Sequence, residues 1–265
     1  MKIKGIIAID LDGTLLDLKG RYSIATRDYL RSLTEQGYQI VLASGRPFRA
    51  MASIYEDLHC NSPIIAYNGA YVFHPLDPSF PTLKRPFDAK TIQTVYQKTR
   101  HIAQSFMAES LENVYVDQRD EYLNNYFPYA NMNLHIGPLD QTVREEVFTC
   151  LFRSEVADDS RIKQAVDEVE GISWRAWGSS LYSELFIPDA HKGTALSFVM
   201  ETLGVGHENV YAFGDATNDI PLLSVAGHPF AMKNSHAKEM FDLFPSTKKT
   251  VDEDGVIDEL KNCLN

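Results

Sequence analysis

A doubly wound α/β core built on a parallel sheet, interrupted by an inserted α+β cap domain, is the fold class this sequence predicts. Three observations carry it. Short, nearly continuous apolar runs recur at residues 6–9, 39–43, 63–67 and 210–213, the pattern of strands buried on both faces. Helical patterns separate them, which implies right-handed parallel crossovers. The middle third has a different character and contains a local hairpin.

Taken in order, Ile6-Ile7-Ala8-Ile9 is the first strand, and Asp10 stands at its C-terminal end. Residues 23–36 place Ile24, Leu30 and Leu33 at helical spacing and close on Gly37, after which Gln39 to Ala43 reads as a second strand. Pro63 to Tyr67 is the third run and ends at Asn68-Gly69. Pro75, Pro78, Pro81 and Pro86 then mark a boundary. Within the insert, residues 88–106 carry Ile92, Val95, Thr99, Ile102 and Phe106 at helical spacing behind an Asp88 N-cap, and residues 140–152 and 158–170 read as further amphipathic helices. Ile172 to Trp177 and Leu181 to Ile187, joined by Gly178-Ser179-Ser180, form the hairpin. From Lys192 the α/β rhythm returns: a helix to about Leu203, the strand Val210 to Phe213, the Gly214-Asp215 turn, then a helix and a short strand near Phe230. The expected core spans residues 1–82 and 188–265, and the expected cap residues 83–187.

Composition narrows the function classes. The 265 residues include 44% hydrophobic and 23% charged side chains, an ordinary globular balance. A formal net charge of −11 repels polyanions and argues against nucleic-acid binding, so any phosphorylated ligand must be met by locally placed positive charge. Cys60, Cys150 and Cys263 are odd in number and widely spaced, which suggests neither disulfides nor a zinc site. Residues 1–5 lead at once into the first strand, with no signal peptide and no membrane span, so a cytoplasmic location is expected, with no obligate protein partner.

In doubly wound sheets ligands bind at the C-terminal strand ends, where Asp10, Ser44, Asn68 and Asp215 all fall. The sharpest signal is Asp10-Leu11-Asp12-Gly13-Thr14, with two carboxylates two residues apart where the chain leaves the sheet. Four specified residues at about 5% frequency each recur by chance on the order of once in 10⁵ positions, so a mere Asp-Gly turn is a poor account of it.

With Ala43-Ser44-Gly45-Arg46, Lys192-Gly193 and Gly214-Asp215-Ala216-Thr217-Asn218-Asp219 following in order, nearly the whole chain resembles the haloacid dehalogenase-like superfamily, in its Cof-type sugar-phosphatase branch. The resemblance implies a Rossmann-like core, a Mg²⁺-dependent phosphatase, and a small phosphorylated metabolite as substrate. Asp10 is then the nucleophile that becomes an aspartyl-phosphate. Asp12 protonates the leaving group, activates water, and lends its backbone carbonyl to the metal. Asp10 and Asp215 supply the metal's carboxylates. Asp219 is either an outer partner of the ion or a charge favoured at a helix N-terminus. Lys192 opens a helix and is expected to hold phosphoryl oxygens and Asp10. Ser44 offers its hydroxyl and N–H to phosphate, where most relatives carry threonine, and Asn218 reaches the same group. Gly45, Arg46 and Asn68-Gly69 match positions near substrate, although Arg46 also suits a structural ion pair. Glu184 matches a recurrent glutamate without a physical role in view. Tyr115, Tyr122, Tyr126, Phe127 and Tyr129 are read as packing residues, and His135 and His191 as structural.

The same motifs serve a phosphomutase that transfers to a second hydroxyl. A receiver-like phosphoacceptor domain also uses strand-end aspartates and magnesium, but an acid/base carboxylate at Asp12 would speed loss of its acyl-phosphate. The cap is expected to be mobile and to exclude water when closed.

Overall fold

The computed structural model describes residues 3–126, 128–129, 132–177 and 180–264. The chain falls into two compact units, one formed by Met1–Lys84 with Ala190–Asn265 and the other by Arg85–Asp189.

The first unit is built on four parallel strands in the order His228–Ala231, Val210–Gly214, Gly5–Ile9, Tyr38–Leu42. The central strand has no exposed residue among Ile6, Ile7, Ala8 and Ile9, as its unbroken apolar run requires. Each isoleucine so buried contributes about 1.5–3 kcal/mol of transfer free energy. Ile6, Ala8, Val41 and Ala212 on one face pack with Ala195, Leu196 and Val199 of the helix Lys192–Leu203. That helix ends on Gly204 in the left-handed conformation, with φ +65°. Register then fixes the site, because Ile9 lies opposite both Phe213 and Leu42. Asp10, Ala43 and Gly214 therefore stand at the same level, at the C-terminal ends of their strands.

The third apolar run departs from expectation. Ile64–Ala66 pairs with the parallel sheet through a single parallel bridge, Ala43 to Ile65, and packs with its core, but its ladder is antiparallel with Tyr71–Phe73 in a separate three-stranded sheet.

The second unit carries a six-stranded sheet in the order Ser173–Ala176, Tyr182–Phe186, Thr149–Arg153, Ser105–Glu109, Asn113–Val116, Asn133–Ile136. Only the last pair is parallel. Helix Ala89–Thr99 begins at Asp88, whose carboxylate accepts the Thr91 N–H. Two expectations fail here. The helix over 140–152 is only Leu139–Thr142, and the segment Thr149–Arg153 is a strand; Phe106 likewise belongs to a strand, not to the helix before it. Cys150 and Phe152 bury among the helices while Leu151 buries on the opposite face, so two-sided burial overrode a helix-like spacing. The hairpin forms, though its Gly178-Ser179 lie outside the described residues. Tyr115 is buried, Tyr122 is 68% exposed beneath the Arg153 guanidinium, and Tyr129 packs against the cluster of Met107, Val114, Val116, Leu123 and Leu151. The Tyr126 side chain and Phe127 lie outside the described residues. Among the described residues no helix is long and apolar enough to cross a membrane.

Candidate active site

Asp10 follows the central strand directly, and its N–H donates to Phe213 O at 3.1 Å, which prolongs the ladder by one residue and fixes where the carboxylate emerges. Lys192 approaches from the first turn of its helix, behind a cap in which His191 accepts the Thr194 N–H. The lysine is wholly buried, and its Nζ donates to Asp10 Oδ1 at 2.5 Å and Asp219 Oδ1 at 2.6 Å. Asp219, also wholly buried, uses Oδ2 to accept the N–H groups of Asp215 and Ala216, both at 3.1 Å. It is thus an interior strut between lysine and loop as well as the last residue before the helix Ile220–Ser224.

Glycines let these loops meet. A Cβ on Gly13, whose φ is +83°, would stand 2.3 Å from Asp215 Oδ2, and one on Gly69, at φ +102°, would stand 2.4 Å from His191 O. The first contact presses the Asp12-Gly13 turn against the Asp215 carboxylate, and the second seats the Lys192 helix. Gly13→Ala is therefore expected to lose at least about 1–3 kcal/mol from backbone strain alone. Thermal unfolding should begin several degrees lower, and turnover should fall well beyond that loss of folded protein.

Electrostatics follow from this crowding. Burial first, and the Asp219 carboxylate second, push Asp10 up to about 8, against the opposing pull of Lys192. Burial and Asp219 likewise raise Asp215 to about 6. Burial disfavours the Lys192 ammonium, but Asp10 and Asp219 outweigh it and hold the group above the ordinary lysine value. Three carboxylates thus face one ammonium.

Asp10, Asp215 and Asp219 each present an oxygen within 4.8 Å of the others. Three hard oxygen donors facing a single ammonium suit a divalent hard cation such as Mg²⁺. Thr14 Oγ1 lies 3.4 Å from Asp215 Oδ1 and helps to orient it.

The remaining expected residues form two further groups. Asp12 lies outside the buried cluster, with its carboxylate held by Arg46: Nε donates to Oδ2 at 2.9 Å and an η nitrogen to Oδ1 at 2.5 Å. Ser44 is buried; its N–H is committed to Ile65 O at 2.9 Å, so only the hydroxyl remains to donate, which corrects the expectation of two donors. Asn218 Nδ2 donates to Asn68 Oδ1 at 3.1 Å, and the Asn68 amide in turn lies against Gly45, where a Cβ would stand 3.0 Å from it. In the second unit Glu184 accepts from Arg175 and Trp177, at 2.7 and 3.0 Å. His135 pairs with Asn113.

Two residues escaped the sequence reading. Asn234 Nδ2 donates to Gly13 O at 2.7 Å while its Oδ1 accepts the Val251 N–H, and Ser235 Oγ donates to Asp215 O at 2.5 Å. They buckle the Asp12-Gly13 and Gly214-Asp215 loops together. The available signal was their position just after a fourth parallel strand, where the strand-end rule directs attention.

A sequence model of the haloacid dehalogenase-like hydrolases matches residues 7–260. The chain is 30% identical to the 5-amino-6-(5-phospho-D-ribitylamino)uracil phosphatase YitU of Bacillus subtilis strain 168, over 98% of this chain and 97% of that protein. It is 26% identical to the phosphatase YcsE of the same organism, named for the same substrate, over 98% and 95% of the two chains. A haloacid dehalogenase-like hydrolase from Bacteroides thetaiotaomicron shares the fold with a TM-score of 0.85 at 24% identity, covering 98% of this chain and 99% of the other. A sugar phosphatase of subclass IIB shares it at 0.80 and 16% identity, over 98% of each chain.

Proposed function

Because this chain belongs to the haloacid dehalogenase-like hydrolases, we propose that it is a Mg²⁺-dependent phosphatase of small phosphorylated metabolites that works through an aspartyl-phosphate on Asp10. The observation that carries this reading is the buried Lys192 ammonium bridging Asp10 and Asp219 beside Asp215. That arrangement holds a nucleophilic carboxylate rigidly against a fixed positive charge.

Phosphoryl transfer needs in-line positioning, charge neutralisation and a proton for the leaving oxygen. An Asp10 carboxylate oxygen attacks phosphorus as the bond to the substrate alkoxide breaks, and Asp12 delivers its proton to that alkoxide. Asp12, now ionised, takes a proton from water as the water oxygen attacks phosphorus. The bond to Asp10 then breaks, inorganic phosphate leaves, and both aspartates return to their starting states. Lys192 and the Ser44 hydroxyl donate to phosphoryl oxygens, with Asn218 at the rim. Asp10, Asp215 and the Asp12 carbonyl would hold Mg²⁺, with Asp219 behind them, and the ion supplies neutralisation of phosphoryl charge when bound.

In this reading residues 1–82 and 188–265 are the catalytic core and residues 83–187 the cap. The relatives named for 5-amino-6-(5-phospho-D-ribitylamino)uracil make phosphorylated sugars and sugar alcohols the substrate class we propose, and that compound belongs first in a panel assayed for released phosphate. Phosphate release in Mg²⁺ and none in excess chelator is the expected result; full activity in chelator would contradict it.

Stability should report the same ion. Asp10 and Asp215 titrate above their unfolded value of 3.8 in the metal-free fold, at about 8 and about 6. The folded state therefore binds more protons than the unfolded chain between these limits, and metal-free stability falls as pH rises through that window. Mg²⁺ should raise the unfolding temperature more at pH 8 than at pH 5, and an equal shift at both would argue against carboxylate ligation.

A further inference from the structure

We propose, on the reading of Asp12 as the proton carrier, that Arg46 is a positioning residue which aims the Asp12 carboxylate and makes no working contact with the phosphoryl group. Its two guanidinium hydrogen bonds both go to Asp12, one to each carboxylate oxygen, at 2.9 and 2.5 Å. A planar two-pronged donor fixes the plane as well as the place of a carboxylate, which a single contact cannot do.

The fork itself is anchored. Arg46 N donates to Ser44 Oγ at 3.2 Å and Arg46 O accepts the Tyr67 N–H at 3.2 Å, so the backbone beneath the side chain is held from both sides. Asp12 needs such help because its side chain is 60% exposed, in contrast to the fully enclosed Asp219. Without the arginine it would sample several rotamers in solvent. An exposed pair of this kind adds little to folding stability, so its purpose should register in catalysis and not in unfolding. A phosphoryl contact, by comparison, would require the guanidinium to give up one or both Asp12 oxygens.

The test compares the full-length wild type with Arg46→Ala, Arg46→Lys, Asp12→Asn and the Arg46→Ala/Asp12→Asn double variant, in Mg²⁺, using an alkyl phosphate and p-nitrophenyl phosphate. Arg46→Ala should keep the wild-type unfolding temperature and lower kcat on the alkyl ester by about 10–100-fold, the scale set by a misplaced catalytic group. The loss in phosphoenzyme formation from the aryl ester should be much smaller, since its leaving group needs no proton. Inhibition by inorganic phosphate should change less than about twofold, because the proposed loss is of aim and not of binding. Arg46→Lys should not rescue, because an ammonium lacks the fork. In the Asp12→Asn background, removing Arg46 should cost almost nothing further, the mark of two residues acting as one.

Equal losses on both esters, weakened phosphate inhibition and additivity with Asp12→Asn would overturn the proposal in favour of a direct phosphate contact. Unchanged kinetics in Arg46→Ala would overturn it outright. If Asp12→Asn alone kept wild-type turnover, the reading of Asp12 itself would fail, and that result is distinct from a failure confined to Arg46.

Discussion

Lys192→Met is expected to unfold at a temperature roughly 6–20 °C below the wild type in chelator at pH 8, and to be inactive. Removing one partner from a buried ion pair typically costs about 3–5 kcal/mol, because the charge left behind has neither water nor counterion. In a unit of this size each kcal/mol moves the midpoint by roughly 2–4 °C. Lys192 is wholly buried and serves both Asp10 and Asp219, so two carboxylates lose their partner in one substitution. The deficit should shrink as pH falls towards 5, because Asp10, pushed up to about 8 by burial and the Asp219 carboxylate, is protonated there and no longer leaves an unpaired charge. Differential scanning calorimetry at both pH values measures this. A variant as stable as the wild type at pH 8 would mean that the lysine does not compensate the cluster.

Asp10→Asn should fail in the opposite way. An amide cannot attack phosphorus, so turnover should fall by at least about 10⁴-fold, as when the nucleophile is removed from other covalent catalysts. The fold should not suffer. Burial and neighbouring carboxylates already disfavour the Asp10 charge, so a neutral isostere relieves repulsion with Asp219 and Asp215. The metal-free variant should therefore unfold no earlier than the wild type at pH 8. Opposite signs of stability change with the same loss of activity would separate the strut from the nucleophile, and unfolding scans paired with phosphate release read both.

Much of this was legible in the sequence, for reasons that differ by residue. Ile6 to Ile9 could only be a strand buried on both faces, and once strand order follows from crossover rules, Asp10, Ser44 and Asp215 must share one end of the sheet. Lys192 stood out by motif order, and its burial follows from opening a helix packed on that sheet. The strand Thr149–Arg153 was hidden because Val147, Cys150 and Leu151 also satisfy a helical period, and only pairing with distant residues 105–109 decides between the two. Asn234 and Ser235 carried no signal beyond their place just after a parallel strand, for a related reason. Their work is done on the carbonyls of Gly13 and Asp215, and a backbone acceptor leaves no trace in side-chain spacing. The Arg46 fork on Asp12 spans 34 positions and depends on rotamers that no local pattern encodes.

The central claim is that phosphorus becomes covalently attached to Asp10, and the Asp12→Asn variant exposes it most directly. That variant retains the nucleophile but loses general acid/base help, worth typically about 10²–10⁴ in rate. With p-nitrophenyl phosphate the first step needs little protonation of the leaving group, whereas hydrolysis of the intermediate still needs a base, so phosphoenzyme should accumulate. Rapid acid quench followed by intact-mass measurement and peptide mapping should find one phosphoryl group per chain, on Asp10. Phosphoenzyme mapped to any other residue, or an Asp10→Asn protein that keeps near-normal turnover, would contradict the account.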